Sequence, residues 1–438
     1  MSGRRVDRHF LLLFIVMLAI AAGNTALQSV LPALGRSLRV ADSAVAAVFS
    51  VSALLWVVAA PFWANRSDRK GRKSMVLLGI AGFSASQLLC GLFLVAGING
   101  WIAAATAFGA FVFGRMLYGA FGSAAPPAVQ ALVAGQTSKH ERTRALALIG
   151  SAFGLGTICG PAIAPWLVMG HLWDDGPEIG LAGPCFVFSL VAASLWFAVA
   201  RLLPSDAQEG DAHGAAISYP SIGGQGTGAS VTAAVSGKSE DVGYLDPRIR
   251  IWMVVGLVIG HAQSMTGQAI GFLVIDRIHV APIDAVQPTG MVLMVGAGSS
   301  LLAQWGLIPM LDLKPRALVL SGALLGAAGL AVTGTALTFY GIATGYALAS
   351  LGIGLARPGF TAGSSLAVDA HHQGSVAGKV TSVNGAAFVL GPSLGVGLYE
   401  LWRPLPYLAA AAALVLLFLY AAVSLRPSGH ARGASPAR

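Results

Sequence analysis

Apolar segments of about twenty residues recur along this 438-residue chain, separated by short polar breaks. A segment of that length crosses the roughly 30 Å core of a bilayer as a helix, because each helical residue adds about 1.5 Å. Lipid offers no hydrogen-bond partners to the backbone, so each segment must be helical. The predicted spans are 10–32, 43–64, 74–97, 101–134, 145–168, 180–203, 249–275, 286–309, 316–336, 339–368, 375–399 and 404–425. The pattern predicts an all-α membrane protein with twelve transmembrane helices.

The charged residues support this prediction and argue against a nucleic-acid partner. Only 10% of residues are charged, against roughly 25% in a soluble domain. The charged residues that give the net charge of +9 lie mostly in short clusters between apolar segments, as expected for charges that set membrane topology. The three cysteines lie in apolar segments and match no metal or redox motif. We therefore expect neither a cofactor nor a metal.

The distribution of Lys and Arg predicts the orientation of the helices. The loops on one side hold Arg66, Arg69, Lys70, Arg72, Lys73, Lys139, Arg142, Arg144, Lys314 and Arg316, together with the basic residues of both termini. The loops on the other side hold Arg36, Arg39, Arg277 and Arg403. Because basic loops stay in the cytoplasm, we expect a multi-pass protein of the inner membrane with both termini cytoplasmic.

A polar stretch divides the chain into two halves. Residues 204–248 are rich in Gly and Ser and show no helical periodicity, which predicts a flexible cytoplasmic linker. It separates a six-helix bundle at 1–203 from a second one at 249–425, and residues 426–438 form a cytoplasmic tail. Two landmarks recur between the halves at nearly one offset, Gly160-Pro161 with Gly391-Pro392, and Gly122 and Pro126 with Gly354 and Pro358. This recurrence predicts two pseudo-symmetric bundles with a substrate site at their interface.

The loop between the second and third segments carries the sequence A-N-R-S-D-R-K-G-R-K at residues 64–73. Glycine permits a tight turn, and an aspartate at a helix end can pair with a cation or cap a neighbouring helix. The loop resembles the G-x-L-A-D-R-x-G-R-K signature of the major facilitator superfamily. The matching residues are Asp68, Arg69, Gly71, Arg72 and Lys73. The resemblance implies a loop that gates the cytoplasmic side; the alternative is a basic loop that only sets topology.

Two further motifs extend this resemblance. The fourth segment has Arg115 in R-M-L-Y-G-A-F-G-S-A, similar to the family's R-x-x-x-G-x-x-x-A type. The fifth has Gly156 and the pair Gly160-Pro161, similar to an antiporter signature whose last two glycines are absent here. The resemblance implies a helix bend and export in exchange for protons, most like the twelve-helix drug:proton antiporters of the tetracycline-exporter type. For Arg115 the alternative is a structural hydrogen bond to backbone carbonyls; for the fifth segment it is ordinary packing of small residues.

In the fold that the resemblance implies, helices one, four, seven and ten line the substrate path. Their candidate pathway residues are Asn24, Gln28, Arg115, His261, Gln263, Gln268 and Arg357. No carboxylate lies in the middle of these four segments. We therefore expect His261 to respond to protons, since histidine titrates nearest neutral pH, although a neutral hydrogen-bonded histidine is the alternative. A path with arginines and no acid favours anionic or neutral substrates.

These observations predict a secondary active transporter that exports a small amphipathic compound by proton-coupled alternating access. Its partners would be the substrate, protons and the lipid bilayer, and we expect a monomer. A proton-coupled importer of an organic anion or siderophore would have the same fold. A non-transporting membrane sensor or assembly factor is a third hypothesis. We see no nucleophile-base arrangement, phosphate loop or nucleotide motif in the sequence, so we expect no enzymatic activity.

Overall fold

The computed structural model describes residues 3–137, 141–174, 176–204, 219–220 and 239–425, with the side chains of residues 3–7 and 68 outside the description. Over these residues the chain forms twelve long helices. In chain order they are Gly3–Ser37, Asp42–Lys70, Arg72–Ile98, Ala104–Gln136, Arg142–Ile163, Gly183–Leu202, Arg250–Ile278, Val286–Leu311, Pro315–Thr335, Phe339–Leu366, Gln373–Leu401 and Leu405–Ser424. The predicted number and order of helices are confirmed.

Eleven of these helices are long and apolar enough to cross a membrane. The seventh helix, Arg250–Ile278, has a similar length of 29 residues. Its middle is more polar because it carries three of the predicted pathway residues. A polar helix of this kind avoids lipid and lies inside a bundle or beside a cavity. Most of its residues from Ile259 to Ile275 are indeed buried.

One helix and one connection between helices differ from the sequence prediction. The fourth changes from α-helix to a short 3-10 turn at Gly122–Ala124 and resumes at Ala125. Pro126 and Pro127 follow this turn and have no N–H to donate, so they cannot continue the preceding hydrogen-bond ladder. A two-stranded antiparallel hairpin, Met169–His171 with Glu178–Gly180, precedes the sixth helix and is a small addition to the predicted all-α fold.

Glycine faces hold each bundle together at equivalent places. The fifth helix packs on the first, where a Cβ at Gly156 or Gly160 would collide with main-chain carbonyl oxygens of the first helix. The eleventh packs closely on the seventh, where a Cβ at Gly391 would collide with the Ser264 side chain and one at Gly395 with the Met265 carbonyl oxygen. Small residues let helices approach closely in membranes. These matching contacts agree with the two related six-helix bundles that the sequence predicted.

The two bundles meet along two pairs of helices, the second with the eleventh and the fifth with the eighth. Gly290 of the eighth helix lies against Pro161 of the fifth, so close that a Cβ there would come within 2.8 Å of the Pro161 carbonyl oxygen. Ser393 of the eleventh helix donates a hydrogen bond of 2.8 Å to Ser50 of the second. The interface between the bundles is therefore tightly packed along both pairs.

The described parts of the linker contact both bundles, which differs from the expected free segment. Tyr219 is buried, with 3% of its surface exposed, in the hydrophobic core of the N-terminal bundle. Asp241 accepts a hydrogen bond of 2.7 Å from Lys379 of the eleventh helix, and this ammonium group lowers the pKa of the carboxyl. Tyr219 and Asp241 are held against the bundles because their polar groups find hydrogen-bond partners there. The rest of the linker and the tail at 426–438 lie outside the described residues.

Candidate substrate-binding site

Arg115 lies on the fourth helix and is fully buried. An arginine within a membrane helix must find polar partners, because lipid provides none. Its Nη2 donates hydrogen bonds to Oδ1 of Asn24 on the first helix and, over 2.7 Å, to the hydroxyl of Tyr219. Its guanidinium carbon also lies 4.7 Å from the ring centre of Tyr118 and 5.4 Å from that of Phe49, which are cation–π distances.

Two residues of the linker complete this site. Asn24 donates from Nδ2 to the Pro220 carbonyl oxygen over 2.7 Å, so both ends of its amide are engaged. The Tyr219 hydroxyl also lies 3.2 Å from Ser52 Oγ and 3.3 Å from Asn24 Oδ1. Ser52 donates its own proton to the Arg115 carbonyl oxygen, which leaves its Oγ as an acceptor for Tyr219. The linker thus supplies a phenol and a carbonyl to a pocket formed by the N-terminal bundle.

Aromatic rings surround the Tyr219 side chain. Its ring centre lies 5.7 Å from that of Trp56 and 6.0 Å from that of Tyr118, at interplanar angles of 87° and 69°. Trp56 and Tyr118 in turn lie 5.3 Å apart. Edge-to-face pairs at these distances are attractive because the positive edge of one ring meets the negative face of another. The pocket has the shape and polarity to hold one flat ring.

Some polar atoms of this pocket are buried without a partner. Among the described residues, Nε and Nη1 of Arg115 and the hydroxyl of Tyr118 have no hydrogen bond. Each unsatisfied buried group costs about 1–3 kcal/mol. Such groups persist where a ligand or water completes them. The donors that Arg115 leaves unused are therefore available to a ligand or to water.

The C-terminal bundle buries a second arginine in a different setting. Arg357 of the tenth helix is 5% exposed. Its Nη1 donates to Gln263 Oε1 over 2.9 Å and its Nη2 to Asn384 Oδ1 over 3.3 Å. The guanidinium carbon lies 5.8 Å from the ring centre of Phe388. All three partners belong to the seventh and eleventh helices, which lie in the same bundle.

A small hollow separates the two arginine sites. It is lined by residues of both bundles and by the linker, among them Gln28, Phe49, Tyr219, Gln263, Gln268 and Phe388. The hollow has a volume of about 20 Å³, and a single water needs at least about 10–15 Å³. The structure therefore brings together the predicted pathway residues Gln28, Gln263 and Gln268. Asn24 and Arg115 contact it through Tyr219, and Arg357 contacts it through Gln263.

His261 does not join either arginine network in the described residues. Its Nδ1 lies 2.8 Å from the Leu257 carbonyl oxygen, one turn earlier on the seventh helix. The ring is partly exposed and lies one turn before the residues of that helix that line the hollow. This hydrogen bond matches the alternative in which the histidine is bonded to its own helix. Its role in proton coupling stays a prediction.

The predicted gating loop forms a tight turn within the N-terminal bundle. Gly71 has φ of +87°, a conformation that side chains disfavour, and it separates the second helix from the third. Arg72 donates to the Ala131 carbonyl oxygen over 3.0 Å, and Lys73 donates to that of Ala200 over 2.8 Å. These bonds satisfy carbonyl groups near the ends of the fourth and sixth helices. Arg69 is exposed, and the side chain of Asp68 lies outside the described residues.

A charged cluster that the sequence did not predict joins the bundles at the opposite face. Arg36 at the end of the first helix forms two hydrogen bonds of 2.5 and 2.6 Å with Asp42, and contacts of 3.2 and 3.3 Å with Asp276. Tyr399 donates to Asp276 over 2.6 Å, and Arg403 contacts the same carboxylate at 3.2 Å. We name these five residues the clamp. It connects the first two helices to the seventh and eleventh.

The sequence analysis also missed Tyr219, Asn384 and Ser52. Tyr219 and Tyr244 are the only aromatic residues in 204–248, which is the one sequence signal that could have identified the former. Asn384 is a lone amide in an apolar segment, a pattern typical of a buried hydrogen-bond partner. Ser52 carries no signal, since serine is common at helix contacts in membranes.

Comparison with known proteins gives a consistent result. Residues 13–392 match the model of the Major Facilitator Superfamily. The chain is 28% identical to Multidrug resistance protein 2 of Bacillus subtilis over 163 residues, which is 37% of this chain and 36% of that protein. It is 29% identical to the class B Tetracycline resistance protein of Escherichia coli over 187 residues, which is 42% of each chain. The chain thus spans about two-fifths of the length of these relatives.

A solved structure supports the same architecture. A bacterial homologue of the human lysosomal transporter Spinster, solved in an inward-facing and occupied conformation, superposes with a TM-score of 0.74. The superposition covers 97% of this chain and 98% of that one, at 10% identity. At this identity the likeness concerns the fold.

Proposed function

The chain belongs to the major facilitator superfamily, and on that premise we propose that it exports a small amphipathic compound, neutral or anionic, in exchange for protons. As a member of that family it is a multi-pass membrane transporter of small molecules and not an enzyme. We further propose that it works as a monomer in the inner membrane with both termini in the cytoplasm. The direction of transport, the proton coupling and the class of substrate are the parts to be tested.

The chemistry of the buried arginines is the observation that carries the proposal. In the described residues, the hydrogen bonds of Arg115 and Arg357 go to amide and hydroxyl oxygens, which are neutral. Two guanidinium groups beside one hollow with neutral partners give it a positive potential. A positive potential in a low-dielectric region disfavours cations strongly. A neutral or anionic solute is therefore the better fit.

The clamp supports transport by alternating access. Its five residues join the two bundles at one face, and opening that face requires Arg36 to separate from Asp276. Rigid movement of one bundle against the other around a central site is how transporters built from two repeats work. The clamp would hold the bundles together at this face in one state and release them in the other.

Two groups are candidates for the proton response. Asp276 accepts bonds from Arg36, Tyr399 and Arg403, and Asp42 is an acid near it, with Glu400 in turn near Asp42. Protonating Asp276 would weaken bonds that join the bundles, which couples a proton directly to opening. The ring of His261 bonds to its own helix, so protonation there would act on the hollow only through the electrostatic field. We propose Asp276 as the stronger candidate.

The experiment is substrate flux in proteoliposomes with an imposed pH gradient. An acid lumen should accelerate uptake by antiport several-fold, whereas acceleration by an acid exterior would indicate proton-coupled import. The panel contains a lipophilic cation, a neutral aromatic alcohol and an aromatic carboxylate. High-affinity transport of the lipophilic cation, or substrate flux that does not respond to the pH gradient, would contradict the proposal.

Two variants identify the proton-responsive group. Asp276→Asn should abolish the response to the gradient while leaving downhill exchange of substrate intact, because the amide keeps the size of the side chain and cannot ionise. His261→Ala should retain the response. The opposite pattern would assign the coupling to His261, as the sequence first suggested.

A further inference from the structure

We infer that the Arg115 pocket binds a neutral hydroxyaromatic compound, and that Tyr219 of the linker occupies this pocket as a tethered competitor. The inference rests on the proposed transport function, for which it specifies the substrate class and a built-in inhibitor. Its basis is that the protein inserts its own phenol into a pocket of the N-terminal bundle.

The hydrogen bonds of the pocket select a hydroxyl group. The occupant's oxygen must accept from Arg115 Nη2, which lies 2.7 Å away. It must also donate, because Ser52 Oγ at 3.2 Å and Asn24 Oδ1 at 3.3 Å both face it as acceptors. A hydroxyl does both, whereas a carboxylate has no proton to donate and an ammonium group cannot accept. This donor and acceptor pattern favours a phenol or aromatic alcohol over an anion.

The walls of the pocket select a ring. Trp56 and Tyr118 meet the ring of Tyr219 edge to face at 5.7 and 6.0 Å. Aromatic pairs of this geometry attract each other beyond the effect of the area that they bury. An aliphatic alcohol would satisfy the hydrogen bonds without these contacts. The combined requirement is a hydroxyl group on an aromatic ring.

The unsatisfied atoms point to a ligand that carries a further polar group. Tyr219 occupies only one of the guanidinium nitrogens, and Nε and Nη1 of Arg115 stay without partners, as does the hydroxyl of Tyr118. A ring with a second oxygen substituent would satisfy donors that the tyrosine side chain does not reach. The tethered residue is therefore an incomplete ligand, which a better one can displace.

The remaining space shows why displacement is necessary. Ligand pockets usually have volumes of about 300–1,000 Å³, whereas the hollow beside Tyr219 has room for about one or two waters. A substrate and Tyr219 cannot share it. A competing side chain that belongs to the same polypeptide acts at an effective concentration on the order of millimolar. If Tyr219 fills the pocket about nine-tenths of the time, it weakens the apparent affinity of a free ligand about tenfold.

The test is equilibrium binding of radiolabelled 4-methylphenol to the purified full-length protein. This probe reproduces the tyrosine side chain. Toluene lacks its hydroxyl, and benzoate replaces the hydroxyl with a carboxylate. Binding to empty micelles is subtracted, and each variant is checked for a single elution peak and for its thermal midpoint.

Tyr219→Ala should bind 4-methylphenol about tenfold more tightly than the wild type, and Tyr219→Phe should show a smaller gain because it keeps the ring as a weaker competitor. Tyr244→Ala is the matched control, since this linker tyrosine lies outside the pocket beside Lys379, and its affinity should equal that of the wild type. Adding Arg115→Gln to Tyr219→Ala should abolish binding. Toluene and benzoate should compete poorly.

Equal affinity in the wild type, Tyr219→Phe and Tyr219→Ala would overturn the inference, as would benzoate binding more tightly than 4-methylphenol. The flux assay separates this failure from failure of the transport proposal. Gradient-driven flux with unchanged phenol binding would refute only the inference. The expected changes in phenol binding without gradient-driven flux of any solute would refute the proton-coupled export on which it rests.

Discussion

Arg115 and Arg357 are both buried beside the central hollow, one in each bundle, yet they are bound differently. Arg357 donates through both terminal nitrogens to amides of its own bundle. Arg115 donates through one terminal nitrogen, and one of the two acceptors comes from the linker. Among the described residues, each arginine also has a buried Nε without a partner, and Arg115 leaves Nη1 unused as well. A group held entirely by its own bundle stabilises that bundle, whereas a group with a partner from the linker and a further unused nitrogen is suited to recognition.

The sequence positions of the two arginines add to this contrast. The repeated Gly and Pro landmarks relate the fourth helix to the tenth, but Arg115 precedes its Gly122 by two turns, and Arg357 follows Gly354 by three residues. The two arginines are therefore not equivalent positions of the repeat. The two bundles thus share a repeated helical architecture but place their buried arginines at different positions along the equivalent helices.

The largest expected effect concerns stability. Arg357→Ala removes two hydrogen bonds to a charged donor, each worth roughly 1.5–3 kcal/mol, and should lower the free energy of unfolding by about 3 kcal/mol. Arg115→Ala should lower it by about half as much, because it also removes two buried nitrogens that lack partners, against one such nitrogen in Arg357. Thermal unfolding in detergent measures both. Equal losses of unfolding free energy in the two variants would show that Arg115 and Arg357 contribute alike to stability.

An intermediate effect concerns transport. Arg115→Lys keeps the charge but loses the planar guanidinium, so substrate flux should fall about tenfold, equivalent to about 1.4 kcal/mol. Arg357→Lys should reduce flux less, because its partners are structural. Initial rates in proteoliposomes, normalised to the amount of inserted protein, provide the measurement. A greater loss for the second variant would reverse the assignment of roles.

A smaller effect concerns the hydroxyl beside the pocket. Ser52→Ala removes an acceptor for Tyr219 and, by the same argument, for a bound phenol. In the Tyr219→Ala background it should weaken 4-methylphenol binding two- to fivefold, corresponding to roughly 0.5–1 kcal/mol for a neutral hydrogen bond. Ser84→Ala is a matched control, since its partner is Ser189 of the same bundle. An unchanged affinity for Ser52→Ala would exclude this hydroxyl from recognition.

The smallest expected effect is an absence of pH dependence at the linker's other contact. Lys379 lowers the pKa of Asp241, so the stabilising bond is fully present above the ordinary aspartate value and is lost only as the pH falls through the lower value in the folded protein. Between pH 5 and 8 the attachment should therefore stay intact. The affinity for 4-methylphenol is measured across this range in the variant Asp276→Asn, which removes the clamp carboxylate as a source of pH dependence, and it should not change with pH. If the affinity does change with pH, and the change disappears when Asp241→Asn is added, the linker contact controls the pH response.

The fold follows from the sequence because membrane solvation leaves few alternatives. Apolar length fixes the helices, and the linker and repeats separate the bundles. The arginines were found for the same reason, since a charge in an apolar segment is conspicuous. Their amide partners Asn24 and Gln263 lie on helices that the family resemblance assigned to the path.

The partners that sequence analysis missed depend on tertiary contacts. Tyr219 lies in a polar stretch without periodicity, so no local pattern predicts that it enters a bundle. The clamp combines residues from the ends of four helices, and only the packing of the bundles brings Arg36 to Asp276. His261 was predicted from its central position, but position along a helix does not determine which carbonyl its ring contacts.

The fifth helix has one further consequence for how the molecule can move. Its glycine face, at Gly156 and Gly160, lies against the first helix without room for another atom, while Pro161 faces Gly290 of the other bundle. The interlocked main chains prevent the fifth helix from sliding along the first. Movement between the bundles must therefore occur where the fifth helix meets the eighth. Natural variation should follow this division: bulky residues should be absent at Gly156 and Gly160, where a Cβ would come within 2.3 Å of main-chain oxygens, whereas the looser 2.8 Å approach at Gly290 lets small changes there adjust how readily the two halves separate.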